Sequence, residues 1–409
     1  MIRHQVYFDT LGSLNEDSAS WRSVFAGLSV LRLIDAYVDQ AKGTAAPNWA
    51  QLHSVRSAVN EIHDGDPVRG VLGCVVDEVT TRSAVDDTVC AALLSYGRAL
   101  DYDASWGLAA DVFASVAKVV KPERNARLAV EALIALGGVA RRNGDWEASA
   151  RAYSQAAYIA DTLGDRAGVL TVQVGIANTY LAKGNLPQAQ VILDDVRMQA
   201  RDAHLPEVEG FALHSQASAA QTRGDYAEGI KLAYEAYNLC HKPADRDLVL
   251  ADIAACLSSL GMRDAARDAH MILVATAQAK RARWQATINL LELAGQDGMN
   301  EQVDAYASEL RRAPMGPWLQ AHFLLILGES LGRLERFDEA QEILTQAEEF
   351  ASANQIHRVA FHAATAISEL TSKARRAARV AEPFVAPTAD VLEVVRGLTE
   401  LRAATVTAR

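Results

Sequence analysis

The stretch Leu136-Gly137-Gly138-Val139-Ala140, then Asn143-Gly144-Asp145-Trp146, then Ser149, Tyr153 and Ala156, decides how the chain is read. A large apolar residue stands beside a small one, so a neighbouring helix can approach where the glycine lies. Helical periodicity carries that apolar face on to Ala140 one turn later. Glycine then takes the left-handed cap that ends a helix, and Asp145 accepts the free backbone N–H groups that open the next. The stretch is therefore a helix, a tight turn and a second helix.

The same pattern recurs on both sides. About 40 residues on come Ile176-Ala177, Tyr180, Lys183-Gly184-Asn185-Leu186, then Ala189, Leu193 and Val196. A further period brings Gln216-Ala217, Ala220, Arg223-Gly224-Asp225-Tyr226, then Gly229, Ala233 and Ala236. One period upstream stand Tyr96-Gly97, Leu100 and a turn ending at Trp106, then Ala109 and Phe113. Downstream the period shortens, with turns at Gly261, at Gly298 and before Phe337, and the last unit carries Leu327-Gly328, Ala340, Leu344 and Ala347. About seven such units run from residue 84 to residue 350, and a fixed period of this length is the mark of a repeat array. Pro122, Pro206, Pro243, Pro314 and Pro317 fall between units, and Pro187 falls in a first turn where its missing N–H is harmless.

These residues resemble the tetratricopeptide repeat (TPR) family, whose 34-residue unit is a helix–turn–helix with large-small pairs in the first helix and alanines in the second. The period here is longer, similar to the long-repeat arrays of kinesin light chains and of the sensor ends of large bacterial transcription activators. The resemblance implies an all-α fold, a right-handed α-α superhelical solenoid of about seven TPR-like units. Residues 1–83 are then an N-terminal helical cap or degenerate repeats, and residues 351–409 are C-terminal capping helices. Trp21, Phe25, Leu28, Leu31, Ile34 and Tyr37 place one amphipathic helix over 19–42, Asn48 caps a second, and Asp66-Pro67 opens a third. At the far end, a helix over 357–380 precedes a break at Pro383 and Pro387, and Thr388 or Asp390 caps a last helix that closes the exposed end.

Composition agrees. About 75 alanines accompany only 25 glycines and 10 prolines in 409 residues, and 50% of the chain is hydrophobic. That balance favours helix and excludes collagen, disulfide scaffolds and wholesale disorder. The net charge of −11 disfavours a nucleic-acid partner. Cys74, Cys90, Cys240 and Cys256 form no metal-ligand spacing and are read as small apolar core residues. The N-terminus has no apolar core of signal-peptide length, and no apolar run spans a bilayer, so a soluble cytoplasmic protein is expected.

No catalytic motif appears, and neither enzyme activity nor a cofactor is expected. His63-Asp64-Gly65-Asp66 reads as a polar turn with a helix cap rather than metal ligands. His357 and His362 lie five apart, off a common helix face. Lys373, Arg375, Arg376 and Arg379 read as a solvated helix face.

The resemblance places a partner-binding groove on the first helices. Carried over position by position, it implies Arg98, Glu131, Arg141, Arg142 and Asn178 early in the array. Phe211, His214, Ser218 and Gln221 follow, then Glu292, Glu329 and Arg333. Leu94, Ile134, Val174, Ile288 and Leu325 are interleaved as apolar anchors. On this reading the groove is basic at its early end and acidic at its late end. The expected function is a protein–protein interaction scaffold or adaptor that binds a partner helix or peptide in the concave groove. The alternative is a ligand-gated sensor of a peptide or small effector acting through a separate effector chain.

Overall fold

The turn glycines set the hairpins. In the computed structural model Gly144, Gly184, Gly224, Gly261 and Gly298 all have φ between 72° and 79°, a region glycine enters without steric penalty. At the first of these the Gly144 N–H donates to the Arg141 carbonyl at 3.1 Å and the Asp145 N–H to the Ala140 carbonyl at 2.9 Å. The Asp145 carboxylate then accepts from the Ala148 N–H at 2.9 Å and starts the next helix. In the last hairpin Glu335 occupies the equivalent conformation with φ 62°, and its side chain is exposed. A left-handed conformation costs a non-glycine residue about 1–2 kcal/mol. Glu335→Gly is therefore expected to raise stability by about 1 kcal/mol, read as a higher denaturant midpoint with an unchanged slope.

The structure describes residues 3–41, 43, 47–64, 66–103, 105–277, 280–313, 315–354, 356–373 and 387–406. These residues form twenty helices and no strand. They fall into two compact units, Met1–Ala182 with Pro314–Trp318 and Ala353–Gln355, and the remainder. The first unit contains α1 (Gln5–Ser13), α2 (Ala19–Gln40), α3 (Trp49–Asn60), α4 (Pro67–Arg82), α5 (Asp87–Tyr102), α6 (Trp106–Val119), α7 (Pro122–Arg142), α8 (Trp146–Thr162) and α9 (Arg166–Ala182). The chain continues through α10 (Leu186–Asp202), α11 (Pro206–Thr222), α12 (Tyr226–Leu239), α13 (Pro243–Ser259), α14 (Arg263–Thr276), α15 (Lys280–Gln296), α16 (Asn300–Arg311), α17 (Pro317–Arg333), α18 (Phe337–Ala353), α19 (His357–Lys373) and α20 (Ala389–Val406).

Within the first unit each helix from α4 to α9 packs on the next, and α5, α7 and α9 also touch in sequence. In the second unit the same succession runs from α10 to α16. This is the TPR-like solenoid arrangement, in which first helices lie beside first helices. The large-small pairs explain the packing. A Cβ at Gly97 would lie 2.4 Å from the Phe113 ring, one at Gly137 2.7 Å from the Tyr153 ring, and one at Gly328 2.6 Å from Leu344. Each glycine receives the side chain sixteen residues later, across its own hairpin. Tyr153 fills two notches at once, since a Cβ at Gly175 would lie 2.5 Å from the same ring.

The caps follow the sequence. Asn48 and Gln51 form a capping box on α3, and Asp66 accepts from the Val68 N–H ahead of α4. Pro187 stands in the first turn of α10. Helix α1 was not legible in advance. It buries Tyr7 completely, and the Tyr7 hydroxyl donates to that of Tyr96 on α5 at 3.2 Å. At the far end α19 joins the cluster of α17 and α18 through Val359 and Ala363. Helix α20 departs from the expected closing position and packs on α12 and α14. Gly65, Pro314, Arg375, Arg376, Arg379 and Pro383 lie outside the described residues.

Candidate functional site

The first helices of the early hairpins bring the expected residues together in pairs. Arg98 on α5 is hydrogen-bonded to Glu131 on α7. Arg142 on α7 reaches back to Asp101 on α5, with Nε 2.9 Å from Oδ1. Two pairs of opposite sense thus join neighbouring first helices. Their side chains stay accessible, at 54% and 46% for Arg98 and Glu131 and 34% and 25% for Arg142 and Asp101. This corrects the expected basic early end of the groove. Arg98 and Arg142 each face a carboxylate about one period away in sequence, so these two charges are balanced.

Arg141 is placed differently. Burial pulls its guanidinium below the usual arginine range, and the Tyr153 hydroxyl beside it opposes that effect. Burial likewise pushes Tyr153 up, while Arg141 holds it down. Arg141 and Tyr153 are thus neighbours, and the Arg141 Nε has no hydrogen-bond partner. Asn178 is half-buried on α9.

In the second unit His214 on α11 meets Asp252 on α13, Nε2 to Oδ2 at 2.6 Å, again across successive first helices. Ser218 donates to the His214 carbonyl at 3.1 Å, and Phe211 is half-buried. Gln221 lies inside the hairpin. Its Cγ would lie 3.3 Å from a Cβ at Gly229 of α12. Burial pushes the neighbouring Cys256 thiol up to about 11, and Gln221 beside it opposes that rise. Burial raises Glu292 above the usual carboxylate range, against the pull of Arg333 and with a push from Glu329. Glu329 accepts from Arg333 at 3.3 Å, so these three charges from α15 and α17 form one group.

The apolar anchors are corrected as well. Leu94, Val174, Ile288 and Leu325 are no more than 6% exposed, and only Ile134 is half-buried. They belong to the core between helices, because the periodicity that marks a groove position also marks a helix–helix contact. The partners Asp101 and Asp252 were missed, although each lies about one repeat period from Arg142 or His214. A search for opposite charges at that separation would have found them.

A further ionic cluster lies away from this face. His4 Nδ1 is 2.5 Å from Asp111 and its Nε2 3.3 Å from Asp35. Burial alone would lower its pKa, but the carboxylates of Asp111 and Asp35 together outweigh burial and raise it to about 9. Charged His4 thus ties α1 to α2 and α6. Among the described residues no helix is long and apolar enough to cross a membrane.

No family model matches this chain, and no curated protein matches it. Solved structures similar in part include three repeat proteins. The TPR-like repeats of a kinesin light chain from Podosopora anserina share 15% identity over 57% of this chain and 98% of that one, with a TM-score of 0.32. A Rap protein complexed with competence and sporulation factor shares 13% identity over 87% and 98%, with a TM-score of 0.34. The P58(IPK) TPR domain shares 16% identity over 91% and 98%, with a TM-score of 0.21. The TPR-like reading rests on this chain's own hairpins, with their repeated turn and the sixteen-residue spacing from glycine to the side chain it receives.

Proposed function

We propose that the chain is a protein-interaction scaffold and that the face formed by α5, α7 and α9 takes up a partner helix or peptide through charged contacts. One observation carries this reading. Exposed ion pairs of both senses run between successive first helices, Arg98 with Glu131 and Asp101 with Arg142. An exposed pair contributes only about 0–1 kcal/mol. Opening one therefore costs little, and a ligand carboxylate or guanidinium replaces the departing partner. The two opposite pairs favour a ligand that alternates acidic and basic groups and fix its direction. With Leu94 and Val174 buried, the ligand gains affinity from polar contacts here rather than from deep apolar anchors.

Peptides selected from a display library of twenty-residue helices on the full chain test the reading. Arg98→Glu with Arg142→Glu is expected to weaken their binding tenfold or more, with an unchanged helical circular-dichroism spectrum. Arg151→Glu, which opens an exposed pair with Glu147 on α8, is expected to leave binding intact. Binding that survives the double reversal and fails with Arg151→Glu sinks the proposal.

A further inference from the structure

The surface that α12 and α14 present to α20 is built like a ligand site. Helix α20 buries Val391, Val394 and Leu398, at positions i, i+3 and i+7, in one cluster with Ile230, Ala233, Ala269 and Ile272. Gly397 lets its backbone come close, since a Cβ there would lie 2.7 Å from the Tyr234 hydroxyl. Charged contacts hold both ends. The Lys231 Nζ stands 3.5 Å from Asp390 at the start of α20, and Asp268 on α14 pairs with Arg402 near its end. Asp268 is nearly buried, at 13% side-chain exposure, and Thr399 of α20 also approaches it, at 3.5 Å. A carboxylate in the middle of an apolar helix face is unfavourable unless a cation arrives to meet it. Here that cation comes from α20. The opposite side of α20 stays exposed, Leu392 included.

We propose that the α12–α14 surface is a helix-docking site and that α20 is its intramolecular occupant, replaceable by a partner helix of the same chemistry. That chemistry is specific. The partner is an amphipathic helix with branched apolar residues at i, i+3 and i+7, a glycine at i+6 and an arginine at i+11. The geometry matches helix-in-groove recognition, in which such a stripe supplies the anchors. Asp268 selects for the arginine, and Tyr234 selects against a bulky residue at the glycine position. A tethered α20 competes at high effective concentration, so the free site is exposed only when α20 leaves or is outcompeted. This site is separate from the α5–α7–α9 face and stands or falls without it.

The experiment uses the full chain and a fluorescent synthetic peptide of residues 387–406. Val394→Asp with Leu398→Asp expels α20 and is expected to bind the peptide at least tenfold more tightly than the wild-type chain in an anisotropy titration. Adding Asp268→Lys to that variant is expected to weaken binding tenfold or more. Arg151→Glu on α8 is expected to leave it unchanged. Arg402→Glu, a single exposed change, serves as the milder release variant should the double variant lose its helical spectrum, with a smaller gain in the same direction. Equal peptide binding by wild type and both release variants, or indifference to Asp268, overturns the proposal. So does a doubled mass by light scattering with no peptide binding, which would make α20 an exchange element between copies.

Discussion

Tyr153→Ala is expected to destabilise the first unit by about 3–5 kcal/mol, the range for removing a large aromatic side chain from a packed core. Tyr153 is only 4% exposed and seats its ring against both Gly137 and Gly175. Its removal opens a notch on two first helices together, and neither glycine carries atoms that could close it. Burying Arg141 without the Tyr153 hydroxyl adds to the loss. Tyr153→Phe keeps the ring and is expected to cost about 1–3 kcal/mol. Chemical denaturation of the three proteins measures the ordering. Equal losses for the alanine and phenylalanine variants would show that the hydroxyl, not the notch, holds the hairpins together.

The same substitution should change sign between two glycines. Gly295→Ala on α15 would place a Cβ 2.6 Å from the Ser330 Cβ and 3.0 Å from its Cα on α17. The contact is with the neighbouring helix at its backbone, so no rotamer relieves it. Overpacking of this kind typically costs about 1–3 kcal/mol, which exceeds the gain of about 0.8–1 kcal/mol from replacing a mid-helix glycine by alanine. A net loss of about 1 kcal/mol is expected. Gly73 on α4 has nothing within 4 Å of a new Cβ, so Gly73→Ala keeps the propensity gain and should stabilise by about 0.5–1 kcal/mol. Thermal midpoints of the two variants decide it. Shifts of the same sign would mean that close helix approach does not set the spacing of these hairpins.

The hairpins were legible because their causes are local. Gly144 and Asp145 close a turn from their own chemistry, and the pairs Tyr96-Gly97, Leu136-Gly137 and Leu327-Gly328 name the notch before its occupant is known. The site was less legible because its causes are not local. Arg98 and Arg142 look like free cations in sequence, and only the stacking of α5 on α7 shows that Glu131 and Asp101 answer them. Leu94 and Val174 have the spacing of anchors, yet the adjoining helices cover them. The final helix was foreseen to start at Thr388 or Asp390, and α20 starts at Ala389. An amphipathic stripe, however, states that a helix needs cover and not which surface supplies it, and α20 found α12 and α14.

The direct test of the interaction face is a photo-cross-linking map. A selected peptide carrying one central photoreactive residue is bound to the full chain, irradiated, and its attachment points are read by mass spectrometry. Cross-links on α5, α7 and α9, near Arg98, Glu131, Arg142 and Asn178, are the expected result. Cross-links confined to the second helices α6 and α8 would contradict the assignment of this face.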